Sequence, residues 1–218
     1  MAALPVYLEL GRRRVFAGAL DWPGWCRAGR DEVAALEALA AAATRYQPVA
    51  AAAGLALPAA VTPASFTIVE RLPGSATTDF GAPGAIPEHN QTPPSAAQLQ
   101  RLLALVEASW QHFDMIVRAA PASLRKGPRG GGRDRDPIVE HVLGAEVGYA
   151  SKLGLRLAQP QAGDRAALAE HRARIAAGLR AAGQAPLEPR RWPGGYAARR
   201  IAWHVLDHAW EIEDRSTA

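Results

Sequence analysis

A chain of 218 residues, 49% of them hydrophobic, is long enough to bury a core and too apolar to be disordered. Its net charge of +4 comes from basic residues that mostly alternate with acids, which argues against a nucleic-acid-binding role. A single cysteine, Cys26, excludes an internal disulfide and favours a reducing compartment. The first residues lack an export pattern and no apolar run reaches ~18 residues, so the sequence predicts a cytoplasmic protein that does not span a membrane.

Before residue 82 the pattern mixes strands and helix. Alternating or continuous apolar residues predict strands over residues 6–10, 15–20 and 65–70, the last ending at a Leu-Pro-Gly turn. Residues 21–24, Asp-Trp-Pro-Gly, form a turn. A helix is predicted from residue 31 or 32 to residue 46, after which Pro48 breaks or restarts it.

The run VFAGALDWPGWCRAGRDE, residues 15–32, carries a resemblance to a known fold. It is similar to the strand, Asp-x-Pro-Gly turn, second strand and helix of HicB-like domains, over residues 5–47. The resemblance implies a small α+β domain, here residues 1–87, with Cys26 buried in a strand. The separate DNA-binding region that some HicB-like antitoxins carry is not visible.

A proline-rich seam covers residues 82–94, and its four prolines rule out a regular helix or a central strand. The pattern of every segment after it predicts a helix. Ser95 and Gln98 form a capping box for the first helix, and the other three are predicted over residues 137–155, 165–182 and 196–214. The sequence therefore predicts an α+β domain followed by an all-α four-helix bundle over residues 94–218.

The sharpest chemical signal is the pair His204 and His208 in the last helix. Residues four apart lie on one face of a helix, so both imidazoles can share a metal ion. A third histidine, His141, begins another apolar helix beside the small residues Gly144 and Gly148, which leave room for a ligand. By themselves these histidines are equally compatible with hydrogen bonding inside a core.

The segments EHVLGAE and RRIAWHVLDHAWEIEDR together resemble the DinB superfamily, over residues 94–218. That family includes thiol-dependent transferases and the metal-binding domain of mycothiol-dependent maleylpyruvate isomerase. The resemblance implies a divalent metal on His141, His204 and His208, a low-molecular-weight thiol, a small-molecule substrate and a homodimer. The link near residues 159–163 is shorter than the family pattern.

Three imidazoles leave a fourth position open on zinc, and nickel, iron or manganese also accept imidazole. Water bound there favours a hydrolase, and a thiolate favours a transferase or isomerase. Beyond that bound water or thiolate the sequence assigns no catalytic group. A non-catalytic protein-binding module with a structural metal is the main alternative to an enzyme, and a nucleic-acid-binding regulator is a weaker one.

Several polar residues are candidates to orient the imidazoles or to bind substrate. Helical spacing places Arg200 four residues before His204 and Glu211 three residues after His208, although the two can equally form a surface pair. Tyr149 lies on the helix of His141.

Two further segments supply candidates. The Arg/Gly loop over residues 125–135 brings Arg129 and Arg133 before the His141 helix, where they can hold an anionic group or remain solvated. The polar segment over residues 74–81 is hypothesised to place Asp79 at the mouth of the metal pocket.

Of the remaining histidines, His112 and His171 are predicted not to be ligands, whereas His89 stays open as a residue that can approach the site. His112 and His171 are interpreted as solvated or structural, and His89 belongs to the seam.

Overall fold

The computed structural model describes residues 3–127, 131–185 and 189–216. It is a mixed α+β fold that begins with a four-stranded sheet of order β3-β2-β1-β4. The strands are β1 (Leu4–Leu10), β2 (Val15–Ala19), β3 (Cys26–Gly29) and β4 (Phe66–Pro73). The first three form an antiparallel meander, while β4 pairs with β1 in parallel. A parallel neighbour needs a crossover connection, which two helices supply.

These crossover helices are α1 (Glu32–Ala41) and α2 (Ala43–Ala52). Asp31 caps α1 by accepting a hydrogen bond from the Ala34 amide at 2.8 Å. The predicted break at Pro48 is wrong, because the helix ends at Ala41 and Pro48 lies inside α2. Pro48 is the sixth residue of α2 and lacks the amide that would donate to the Thr44 carbonyl, so α2 forms despite the loss of one backbone hydrogen bond. The predicted order of strand, turn, strand and helix is confirmed, with Cys26 buried in β3.

The four predicted helices are present as α4 to α7 with small shifts at their ends, whereas the short α3 lies in the segment 74–81 that was predicted only to be polar. They are α3 (Ala76–Phe80), α4 (Ala96–Ala119), α5 (Arg135–Lys152), α6 (Arg165–Gln184) and α7 (Gly194–Ser216). The capping box of α4 is present: the Gln98 amide donates to Ser95 Oγ, and the Ser95 amide donates to Gln98 Oε1. Helix α5 starts two residues before Pro137, which then occupies its first turn.

Two hydrophobic cores meet at α4 and α7. The first joins the four long helices through residues such as Phe113, Val142 and Ile201. The second lies between the sheet, α1 and α2, and it includes Leu105 of α4 and Leu206 of α7. Helix α7 is therefore packed on both sides, which fixes the orientation of its side chains. Within the described ranges, no helix is both long and apolar enough to cross a bilayer.

Candidate metal centre

Helices α5 and α7 bring the three predicted histidines together. His204 is 7% exposed, and His141 and His208 are half-buried beside it. The three ring centroids are 4.7 to 5.1 Å apart. Among the described residues, they form the one group of three or more potential metal ligands whose donor atoms all lie within 4.8 Å of one another.

The spacing of the ring nitrogens fits a metal ion. The Nε2 atoms of His141 and His204 are 3.3 Å apart. Zinc–nitrogen bonds of about 2.0–2.1 Å at a tetrahedral angle place two ligand nitrogens about 3.3–3.4 Å apart. The observed distance is longer than an ordinary N–H hydrogen bond of about 2.9–3.0 Å. The pair is therefore spaced as two ligands of one ion are spaced.

The electrostatic environment disfavours the protonated form of two of these imidazoles, those of His141 and His204. Burial, together with the neighbouring His208 and His141 rings, lowers the pKa of His204 to about 2. Burial is also the main cause that lowers the pKa of His141, with His208 and Arg133 adding to it. A histidine must be unprotonated to bind a metal, so the site already holds the required form at neutral pH.

A carboxylate orients the third ring. His208 Nδ1 lies 2.8 Å from Glu211 Oε2, and Arg215 donates to Glu211 Oε1 at 2.7 Å. The hydrogen bond from His208 is the main cause that lowers the pKa of Glu211, and Arg215 adds to it. The carboxylate therefore holds the His208 ring through Nδ1, which leaves Nε2 as the nitrogen available to a metal ion. Glu211 thus contacts His208 as the helical spacing predicts.

Arg200 and Tyr149 lie beside His204. The Arg200 guanidinium carbon is 4.6 Å from the Trp203 ring centroid and 5.6 Å from that of Tyr149. The Tyr149 ring packs edge-on against His204, with centroids 5.6 Å apart. Arg200 Nη1 and Trp203 Nε1 are buried and have no hydrogen-bond partner among the described residues. Both side chains also line a small cavity against the sheet, which none of the three histidines lines.

The other candidate site residues, Arg133, Asp79 and Arg129, do not form one group around the three histidines. Arg133 is exposed, but its charge contributes to the lowered pKa of His141 and of His204. Asp79 accepts a hydrogen bond from the Arg13 amide at 2.8 Å and so caps the β1–β2 turn. Arg129 lies outside the described residues.

A second polar cluster, which we call the Glu146 cluster, consists of Trp110, Glu146 and His171. Trp110 Nε1 donates to Glu146 Oε1 at 2.6 Å, and His171 Nε2 lies 3.5 Å from Glu146 Oε2. Glu146 is not among the residues that the sequence singled out. The sequence does contain a signal for it, namely an acid inside an otherwise apolar helix. Such an acid is expected to be buried, and a buried carboxylate needs polar partners. His112 and His171 are both buried rather than solvated, and the exposed His89 lies in a short turn before α4.

No protein-family model, no curated protein and no solved structure matches this chain. The case for a metal centre therefore rests on the chain's own residues. It combines the chemistry of three imidazole donors, the 3.3 Å separation of two of them and the carboxylate that orients the third.

Proposed function

We propose that the chain is a metal-dependent enzyme of DinB-like type that uses a low-molecular-weight thiol in a transferase or isomerase reaction. His141, His204 and His208 would bind a divalent ion, zinc in the first instance, with nickel, iron or manganese as alternatives. The observation that carries the proposal is the convergence of three imidazoles, with ligand atoms within 4.8 Å of one another, at the contact between α5 and α7.

The fold part of the proposal assigns α4 to α7 to a DinB-like four-helix bundle. Its support is that the candidate ligands lie on the second and the fourth of these helices, where the resemblance of the sequence places them. The N-terminal sheet with α1 and α2 would be the HicB-like part. It packs against α7, so it would brace the helix that carries two of the three ligands.

The choice of a thiol is supported by the charge around the site. Three imidazoles add no negative charge, and the nearby Glu211 is already paired with Arg215. When bound, the ion would supply a Lewis acid with an open position that stabilises an anionic ligand such as a thiolate. Arg200 and Tyr149 would hold the remainder of the substrate beside His204. Glu211 would keep the His208 ring in its binding orientation.

Cobalt substitution tests this function. The full chain is loaded with Co²⁺ and titrated with L-cysteine, and we expect a saturable sulfur-to-cobalt charge-transfer absorption. The hydroxyl analogue L-serine should give no such band. Arg200→Gln should weaken L-cysteine binding by about tenfold or more, because it removes a charged donor, while Arg118→Gln, a change at an exposed arginine of α4, should not.

Two outcomes would contradict the proposal at different points. A cobalt-loaded protein without the charge-transfer band, but with metal-dependent ester hydrolysis, would replace the thiol chemistry with that of a hydrolase. A loaded protein with neither property would assign the metal a structural role in a protein-binding module.

A further inference from the structure

A cavity that the three histidines do not line lies at the junction of the seam with α4 and the start of α7. It has a volume of about 230 Å³, and Asn90, Arg101 and Arg199 line it together with the apolar side chains of Leu20 and Leu102. Engineered apolar cavities of about 150 Å³ already hold benzene, so this one has room for a small organic molecule.

At the cavity wall lies a buried cation that forms no direct ion pair, although Asp21 of the same cavity acts on it electrostatically. Arg199 is 7% exposed, and its three hydrogen bonds go to neutral acceptors: Nε and Nη2 donate to Asn90 Oδ1, and Nη1 donates to the Leu20 carbonyl. None of the described carboxylates forms an ion pair with it. A buried charge usually has a counterion because desolvation is costly. Burial lowers the pKa of Arg199 to about 10, so the guanidinium still carries its charge at neutral pH.

Arg199 also has N–H donors that are not engaged in hydrogen bonds to the described residues. A guanidinium carries five N–H donors, and three are engaged here. Asn90 uses its oxygen to accept from Arg199, which leaves its amide nitrogen, beside Gly195 at the start of α7, as a further donor. The first backbone amides of a helix have no partner within the helix, so this end of α7 adds positive potential.

Arg101 supplies a second cation at the same cavity. Its guanidinium stacks on Trp22 with a separation of 4.1 Å, and Nε donates to the Asp21 carbonyl at 3.2 Å. This geometry fixes the side chain and leaves its terminal nitrogens without an ion-pair partner among the described residues. Among the described residues, Asp21 is the one acid that lines the cavity, so two arginines against one aspartate give a net charge of +1.

We propose that this cavity binds a small organic monoanion through its carboxylate, with Arg199, Arg101 and Asn90 as donors. The planar guanidinium fork matches the planar carboxylate, and the single excess positive charge is neutralised by a monoanion rather than by a dianion. Leu20, Leu102 and the seam prolines Pro93 and Pro94 provide an apolar wall for a short carbon chain. The site is separate from the three histidines and does not depend on the function proposed for them.

Calorimetric titration of the full chain with sodium butanoate tests the site. We expect saturable binding of butanoate and at least about tenfold weaker binding of butanamide, which has the same shape but no charge. Arg101→Gln should weaken butanoate binding by about tenfold. Arg118→Gln changes an exposed arginine of the same helix and should have no effect. Binding should persist in His204→Ala, because butanoate at this site does not contact the metal centre.

Gln98→Glu is a second variant that preserves the fold. Gln98 lines the cavity and belongs to the capping box of α4, which accepts glutamate as readily as glutamine. The added negative charge should weaken butanoate binding. Equal affinities for butanoate and butanamide, tighter binding of inorganic phosphate, or unchanged affinity in both variants would overturn the proposal. Loss of butanoate binding in His204→Ala would assign the anion to the metal centre instead.

Discussion

His141 and Glu146 lie five residues apart on α5, yet they belong to two polar clusters with opposite properties. Around Glu146, a donor meets an acceptor: the Trp110 indole donates to one carboxylate oxygen, and His171 Nε2 lies 3.5 Å from the other without forming a hydrogen bond. Around His141, the ring nitrogens of three imidazoles face one another. Acceptors that converge on one point need a cation or a proton between them, whereas matched partners do not.

The comparison shows that a buried histidine is not by itself an indication of a metal. The side chain of His171 is 4% exposed, and it is the carboxylate partner that gives it a structural role. His204 is equally buried, but its nearest polar neighbours are other imidazoles. The partner atoms, rather than the degree of burial, distinguish the two regions.

The largest effect on stability should come from the Glu146 cluster. Glu146→Ala removes the acceptor of Trp110 Nε1, which is left buried without a partner, and it also removes the carboxylate that lies 3.5 Å from His171 Nε2. We expect the free energy of unfolding to fall by about 3 kcal/mol, measured by urea denaturation. Glu146→Gln keeps an acceptor oxygen and should cost about 1 kcal/mol. Metal content per folded chain should be unchanged in both variants, and its loss would show that the two clusters are coupled.

A second prediction concerns the carboxylate at the histidine cluster. Glu211→Gln weakens the interaction that orients His208 Nδ1, so metal affinity should fall by about 10–100-fold. Competition with a chromophoric chelator measures that affinity. Glu213→Gln, two residues further along α7, is the matched control, because Glu213 pairs with Arg45 instead of a histidine. Equal affinities for all three proteins would mean that Glu211 does not support the site.

The smallest effect should come from His112, a buried histidine that belongs to neither cluster. Burial lowers its pKa below the ordinary value of 6.5; Arg45 acts in the same direction and Glu213 opposes it. The unfolded chain therefore takes up a proton at a higher pH than the folded chain does. Stability should decline as the pH falls below about 6.5. In His112→Gln the decline between pH 7 and pH 5 should be shallower, and an identical slope would contradict this assignment.

The local sequence determines more of the helices than of their contacts. The capping box at Ser95 and the proline at position 137 mark helix starts that the structure confirms within two residues. The break at Ala42 has no such marker, because alanine fits both a helix interior and its end. Periodicity therefore predicted one helix where there are two.

In the candidate site, too, the local sequence predicts the positions within one helix but not the contacts between helices. The pair His204 and His208 follows from helical spacing, since both residues lie on one face. The burial of His171 does not, because its sequence neighbours Glu170 and Arg172 are polar and only the packing against α5 reveals its partner. Contacts between helices depend on tertiary packing, which spacing within one helix does not encode.

Metal analysis of the purified full chain tests the central claim most directly. We expect one tightly bound divalent ion per chain in the wild type and in His89→Ala, whose histidine is exposed and distant from α5 and α7 in the sequence. His204→Ala should lose that ion, because two imidazoles on different helices remain. Equal metal content in the wild type and in His204→Ala, with both proteins folded, would contradict the account.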